Sequence, residues 1–187
     1  VLFRSLTGSG AIAMLGTEGV DGRQFIGDTL DLSFAADRSL TKVAGRGNVR
    51  VDLPGGPTTA ARSVRAQMFD GAGEAGRGLT SARFADRVEY REGAQGKNAP
   101  RSATSNALVI GLAGDAVTSA QFTGGVTFAE RGSLDASAAA ARYDPVKGTL
   151  DLSGADAGGG PRVANDEITI EAGAIGVTLQ SEIGRAH

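Results

Sequence analysis

One twelve-residue phrase occurs three times along the chain at a nearly constant spacing. It reads LTKVAGRGNVRV from Leu40, LTSARFADRVEY from Leu79 and VTSAQFTGGVTF from Val117, so successive copies begin 39 and 38 residues apart. Repetition at such a period is typical of stacked supersecondary units, none of which can bury its apolar face alone. We therefore expect a series of similar units that share one core.

Within each phrase the apolar residues alternate with polar ones. The apolar positions of the second and third copies share one parity: Phe84, Val88, Tyr90, Phe122, Val126 and Phe128. A period of two is the strand period. The connections are too short for crossover helices, which predicts antiparallel pairing. Twenty-nine glycines also favour many short strands joined by turns. The fold class is therefore predicted to be all-β, with about a dozen mostly antiparallel strands.

Three local segments carry specific signals for their secondary structure. Residues 133–141, SLDASAAAA, have helix propensity, but the register of the repeat favours a strand. Residues 71–76, GAGEAG, match the dinucleotide-binding fingerprint, yet the phrase that would form the following helix has a sister copy with two adjacent glycines, so a hairpin loop is predicted. Residues 144–148, DPVKG, predict a turn, because proline presets one backbone angle and glycine tolerates the opposite sign.

Composition argues against several classes of function. The 19 basic residues are balanced by 21 acidic ones without a basic cluster, so nucleic acid is not an expected partner. No apolar run approaches the roughly 18 residues of a membrane-spanning helix. The chain has no cysteine, and its single histidine is His187. Residues 154–166 lack the iteration of calcium-binding repeats. No catalytic pair is evident, so we expect no enzyme activity, no cofactor and no metal site.

The two ends of the chain match translated sequencing-adapter DNA. VLFRS at residues 1–5 is the translation of GTG CTC TTC CGA TCT, and EIGRAH at residues 182–187 is that of GAG ATC GGA AGA GCA CAC. We exclude both from the prediction of the fold, as is done for fusion scars. Residues 6–181 are then expected to be an internal piece of a longer repeat domain. The true termini, and any signal peptide or anchor, stay open.

The repeated run of strand, Tyr/Phe-Asp turn, strand and x-F-x-G-x-V-x-F resembles the OstA-like family of lipopolysaccharide transport proteins, the LptA/LptC group. The resemblance is carried by GRGNVRVDL, ARFADRVEYREG and the stretch that begins AQFTGGVTFAERG, and it covers most of residues 29–179. It implies a continuous antiparallel jelly roll of V-shaped section in the periplasm. It also implies transport of lipopolysaccharide towards the outer membrane. Whether the chain is LptA-like, LptC-like with an inner-membrane tether, or a fused member stays open.

An apolar trough between strands suits such a cargo. Each methylene buried in it contributes about 0.8 kcal/mol, so acyl chains need no specific polar contact. Small residues at Ala82, Ala120, Ala139 and Ala141 are expected to widen the slot. The candidate groove-lining residues are the inward-facing aromatic and aliphatic ones: Phe84, Val88, Tyr90, Leu108, Ile110, Phe122, Val126, Phe128, Tyr143, Leu150, Leu152, Ile168 and Ile170.

The expected partners follow from that trough and from its ends. They are lipopolysaccharide, through its lipid A acyl chains, and other jelly-roll proteins of the same type, through end-to-end strand pairing that includes self-association. Three alternatives stay open. One is a β-sandwich whose core is filled by its own side chains. Another is a right-handed parallel β-helix of the surface-adhesin type, with two rungs of about 19 residues per repeat. The third is a carbohydrate-active enzyme.

Overall fold

The computed structural model describes residues 5–15, 22–57, 59–114, 116–155 and 158–179. This part of the chain contains twelve strands and is all-β: β1 (Ser5–Leu15), β2 (Arg23–Phe34), β3 (Leu40–Leu53), β4 (Arg62–Glu74), β5 (Gly78–Glu92), β6 (Arg101–Ala113), β7 (Ala116–Glu130), β8 (Leu134–Asp144), β9 (Thr149–Ser153), β10 (Arg162–Ala164), β11 (Thr169–Glu171) and β12 (Ala174–Thr178). The predicted number and type of strands are confirmed. Of the two adapter-like segments, residues 1–4 and 182–187 lie outside the described part.

All twelve strands belong to one large sheet, and β1 to β8 pair in chain order. At β8 the sheet divides. Residues 140–144 pair with β9, which in turn pairs with β12, whereas residues 135–137 pair with β10, which in turn pairs with β11. The sheet does not close on itself. Every strand pairing in the described part is antiparallel. The alternative of stacked parallel rungs is therefore wrong for this part.

The three copies of the repeated phrase correspond to β3, β5 and β7. Each is followed by an even-numbered strand, so one repeat is a pair of neighbouring antiparallel strands. Each of these three strands carries a bulge at the same point of the phrase. The bulge residues are Gly47 and Asn48, Asp86 and Arg87, and Gly124 and Gly125, and all six have a positive φ between 47° and 83°. The ladder passes over each pair. We call these six residues the bulge row.

The bulge row divides each long strand into two arms, named here the Phe84 arm and the Tyr90 arm after the residues of β5 on either side. Apolar side chains of the two arms contact each other. Three ring pairs cross the row in this way, each with centroids 5.7 Å apart: Phe25–Phe69, Tyr90–Phe122 and Phe128–Tyr143. Within the Phe84 arm, the rings of Phe69 and Phe84 stack at 4.8 Å. Both arms therefore contribute to a single core.

The three local predictions agree with the structure. Most of residues 133–141 lie in β8, so the helix alternative is wrong. Residues 71–76 lie at the β4–β5 hairpin, where Glu74 pairs with Gly78, and the phrase that follows is a strand rather than a nucleotide-binding helix. In the β8–β9 turn the Asp144 Oδ1 atom accepts hydrogen bonds from the backbone N–H groups of Val146 and Lys147 at 3.0 and 2.9 Å.

The bulge row predicts unequal costs for two neighbouring glycine substitutions. A Cβ on Gly124 would lie 2.8 Å from Asn106 Cβ, whereas one on Gly125 meets nothing within 4 Å. Positive φ costs an alanine about 1 kcal/mol at either position, and overlap adds to that cost at Gly124 alone. We expect Gly124→Ala to lower the free energy of unfolding by about 2–3 kcal/mol and Gly125→Ala by about 1 kcal/mol, measured by urea denaturation. Equal losses would contradict the described bulge.

Candidate functional site

Eleven of the thirteen predicted groove residues lie in the core. Each is at most 2% exposed: Phe84, Val88, Tyr90, Leu108, Ile110, Phe122, Val126, Phe128, Tyr143, Leu150 and Leu152. They belong to one contiguous apolar cluster that extends from β2 to β10 and includes Leu179. The inward orientation predicted from the period of two is confirmed for these eleven, and their contact with lipid stays a prediction.

The inward prediction is wrong for Ile168 and Ile170, which are 56% and 45% exposed. Ile170 lies on β11, a strand of three residues whose single neighbour in the described part is β10. The buried cluster ends on β10 at Val163, which is 8% exposed. Of the four alanines expected to widen the slot, Ala82, Ala120 and Ala141 are buried and Ala139 is half-buried.

Among the residues that the structure describes, side chains of the apolar cluster leave little free space between the two arms. The pocket beside Phe25, Phe69 and Phe84 has a volume of about 20 Å³, close to the minimum that holds one water molecule. An acyl chain is far larger than this space. It can therefore enter the core only when the side chains of the two arms move apart.

A buried polar cluster lies at the end of the Tyr90 arm, and the sequence interpretation missed it. Arg62, Glu92, Arg101 and Glu130 are register partners on β4, β5, β6 and β7, so their charges alternate across the sheet. Their side chains are 11%, 6%, 4% and 9% exposed, respectively. We call these four residues the charge ladder. The charge ladder therefore places a row of paired charges at the edge of the apolar core.

Glu92 is the centre of the charge ladder. Its Oε2 atom accepts hydrogen bonds from Arg62 Nε and from the Tyr90 hydroxyl, both at 2.7 Å. Its Oε1 atom accepts one from the Tyr143 hydroxyl at 3.1 Å and one from Arg101 Nη1 at 3.4 Å. Because Tyr143 belongs to the Phe84 arm, this contact joins the two arms.

The other half of the cluster is centred on Arg101. Its Nε and Nη2 atoms both lie 2.8 Å from Glu130 Oε1, and its Nη1 atom donates to the Tyr143 hydroxyl at 2.8 Å. The Ser133 hydroxyl donates to Glu130 Oε2 at 2.9 Å. No buried side-chain nitrogen or oxygen in the described residues lacks a partner. The cluster is therefore fully hydrogen-bonded, as burial of charge requires.

Burial and pairing fix the protonation states of the cluster. Burial raises the pKa of Glu92, but the charge of Arg62 and the hydrogen bonds from Tyr90, Arg62 and Tyr143 outweigh it, so the pKa lies below its usual value. Burial and the charge of Glu92 raise the pKa of Tyr143 to about 12. Burial and Glu92 also raise the pKa of Tyr90 well above its usual value. These three groups therefore do not titrate near neutral pH, where a general acid or base is most effective.

The sequence did contain a signal for this cluster. Val88, Tyr90 and Glu92 have the same spacing as Val126, Phe128 and Glu130, so the inward parity continues to a carboxylate in both copies. A carboxylate that continues an apolar face must find a buried cation. The strands that precede these two copies, β4 and β6, both begin with Arg-Ser, at Arg62 and Arg101, which supplies the two cations.

A cleft of about 1150 Å³ opens beside the charge ladder. Besides ladder residues, its lining includes exposed side chains of the polar face of the Tyr90 arm: Arg50, Glu89, Arg91, Ser102, Thr104 and Arg131. These side chains alternate along the strands with the buried ones. The exposed side chains of the cleft therefore lie on the face of the sheet opposite the apolar core, although core residues such as Tyr90 and Ala103 also border it.

Comparison with known proteins leaves the family open. No protein-family model and no curated protein matches this chain. In the part of the chain that the structure covers, no helix has the length and apolar character needed to cross a membrane.

The position of Glu92 predicts how stability depends on pH. Its pKa is lower in the folded protein than the usual value of 4.5, so the ionised form stabilises the fold above about pH 4.5, and this contribution is lost as the pH falls through the folded pKa. Glu92→Gln removes the charge and is expected to cost about 3 kcal/mol near neutral pH, because two buried arginines lose a counter-ion. The free energy of unfolding of the variant should also fall less steeply below pH 5 than that of the unmodified chain.

The matched control is Glu89→Gln on the same strand, because Glu89 is exposed and lies 3.7 Å from Arg91. It should change the free energy of unfolding by less than about 0.5 kcal/mol. Urea denaturation between pH 3 and pH 7 measures both variants. Equal losses in Glu92→Gln and Glu89→Gln would contradict the structural role of the charge ladder.

Proposed function

We propose that this protein is a periplasmic component of lipopolysaccharide transport, of the OstA-like kind, that carries acyl chains between the two arms of its sheet. In this proposal the bulge row is the vertex of a V-shaped jelly roll, and the Phe84 and Tyr90 arms are its two legs. The observation that carries the proposal is the uninterrupted apolar face shared by both arms, which contains eleven of the thirteen residues expected from the sequence. The resemblance of the repeated phrase supports the choice of cargo.

The energetics of entry are compatible with a filled interior. In this arrangement the backbone ladder bonds lie within each arm, and the arms meet through side chains such as Tyr90 with Phe122 and Phe128 with Tyr143. Separating the arms therefore exposes apolar surface without breaking the sheet. An acyl chain that enters covers this surface again and leaves water at about 0.8 kcal/mol per methylene. The exchange requires neither a specific polar contact nor an external cofactor.

The free edges of the sheet suit the proposed partners. In the described part, β11 and β12 each pair on one side, which leaves unpaired N–H and C=O groups on the other. The exposed side chains of Ile168 and Ile170 lie beside that edge. We propose that another jelly-roll protein, or a second copy of this chain, adds a strand there and continues the apolar face.

A second function is favoured by one observation. The apolar pocket beside Phe25, Phe69 and Phe84 has a volume of only about 20 Å³, as expected for a purely structural sheet whose core is filled by its own side chains. Such a protein would keep its two arms together permanently. The two functions differ in whether lipid reaches the core.

Site-specific photo-crosslinking distinguishes the two functions. A photoreactive amino acid is placed at Phe122 or Val126, which are 0% and 1% exposed, and at Thr127, whose side chain is exposed on the polar face. We expect lipopolysaccharide to label positions 122 and 126 and not position 127, as detected by immunoblotting. Because Val126 and Thr127 are adjacent in the strand, a difference in labelling between them reports only which face of the sheet each side chain occupies.

Labelling at Thr127 without labelling at its neighbours would overturn the proposal. Absence of labelling at all three positions, in chains whose circular dichroism matches the unmodified protein, would favour the structural sheet.

A further inference from the structure

We propose that the cleft beside the charge ladder binds an anionic saccharide, such as a sugar phosphate. The cleft lies on the polar face of the Tyr90 arm, so the proposal does not depend on whether acyl chains enter the core. Three observations carry it: the balance of charge in the lining, an arginine without a partner among the described residues, and the size and hydroxyl content of the cleft.

The lining has more cations than anions. Apart from the buried charge ladder, in which Arg62 pairs with Glu92 and Arg101 with Glu130, the lining contains three arginines, Arg50, Arg91 and Arg131, and two carboxylates, those of Asp52 and Glu89, an excess of one cation. Both of these carboxylates already face an arginine: Asp52 lies 2.9 Å from Arg50 and Glu89 lies 3.7 Å from Arg91. An entering anion therefore meets no unpaired acid, and the concave wall concentrates the positive potential.

Arg131 supplies the cation that the fold itself does not use. Its side chain forms no hydrogen bond or ion pair with any residue that the structure describes, and it is exposed in the cleft. Its backbone N–H donates to the Pro100 carbonyl oxygen at 3.1 Å, which holds the residue in place. A guanidinium group offers a planar set of donors that matches the oxygens of a phosphate or carboxylate. Binding at Arg131 thus breaks no internal contact.

The volume and the remaining lining indicate a sugar rather than a bare anion. About 1150 Å³ is far more than one phosphate needs and lies just above the usual range for small-molecule sites. Ser63, Ser102 and Thr104 also line the cleft, and the Thr104 hydroxyl forms a hydrogen bond of 2.6 Å with that of Thr127. Hydroxyl groups both donate and accept hydrogen bonds, as sugar hydroxyls do. The lining therefore offers arginines to a charged group and hydroxyls to the ring.

Isothermal titration calorimetry on the full chain tests the assignment. The probes are glucose 6-phosphate, glucose and inorganic phosphate at low ionic strength. We expect saturable binding of glucose 6-phosphate that is tighter than that of either control and weakens as salt is added. Arg131→Gln should weaken it about fivefold, since an exposed ion pair is worth up to about 1 kcal/mol. Arg83→Gln should leave it unchanged, because Arg83 is exposed on β5 but lies outside the cleft lining.

Several outcomes would overturn the assignment. Absence of saturable binding of glucose 6-phosphate, or equal weakening by Arg83→Gln and Arg131→Gln, would show that no specific site exists. Equal affinity for glucose would overturn the role of the arginines, and equal affinity for inorganic phosphate would overturn the role of the sugar. Crosslinking at Phe122 reports on the opposite face, so failure of either proposal is recognised independently of the other.

Discussion

The core depends on the two-residue bulge that every phrase-bearing strand repeats at the same point. In a regular strand Asp86 would face inward between Phe84 and Val88, but its positive φ, followed by that of Arg87, leaves both residues exposed. The apolar residues on either side nevertheless keep the same parity, so both arms present an apolar face to the same core. All three ring pairs that cross the bulge row rely on this. The row therefore allows one sheet to bury its own apolar face.

The same bulges explain which parts of the structure follow from the sequence. On β3, β5 and β7 the bulge inserts two residues between the arms, so the inward residues of both arms keep the same parity. The alternation of the phrase therefore predicts the inward orientation of Phe84, Tyr90, Phe122 and Phe128 correctly. On β6 the inward residues are Arg101, Ala103 and Ser105 before the bulge row and Leu108 and Ile110 after it, so the parity changes. Extending the parity of Leu108 backwards places Arg101 outward. Propensity and period cannot locate such a change, because it depends on the ladder to the neighbouring strand.

The branching of the sheet at β8 also cannot be predicted from the sequence pattern. Strand β8 pairs with β9 along one part and with β10 along another, and both of these partners are short. Local alternation therefore predicts strands near Ile168 and Ile170 but not that these residues lie at the end of the sheet in the described part. The burial of a strand's apolar face depends on what lies opposite it, which is a property of the tertiary fold.

The charge ladder determines where the apolar core ends. An apolar residue at Glu92 would extend the core to the strand ends, whereas the carboxylate brings two arginines and two tyrosines into one hydrogen-bonded cluster. Such a cluster adds little net stability relative to an apolar core, but it defines one register, because a slip of one residue would leave several buried charges unpaired. Tyr143 lies in the other arm and contacts both Glu92 and Arg101. These contacts also fix how the two arms are positioned against each other.

A filled interior is compatible with an apolar groove, because closing such a groove in water removes exposed apolar surface. An open trough lined by phenylalanine, valine and leucine would expose several hundred Å² at about 25 cal/mol per Å², a cost of several kcal/mol that closure removes. The pocket of about 20 Å³ beside Phe25, Phe69 and Phe84 is compatible with a structural sheet and with a groove that opens around a guest. The difference between a carrier and a structural sheet lies in the contacts between the arms. These are ring contacts, which an acyl chain can replace, except at Tyr143, where opening must also break hydrogen bonds to the charge ladder. In a carrier the two arms would consequently separate more easily at strands far from β8 than at Tyr143.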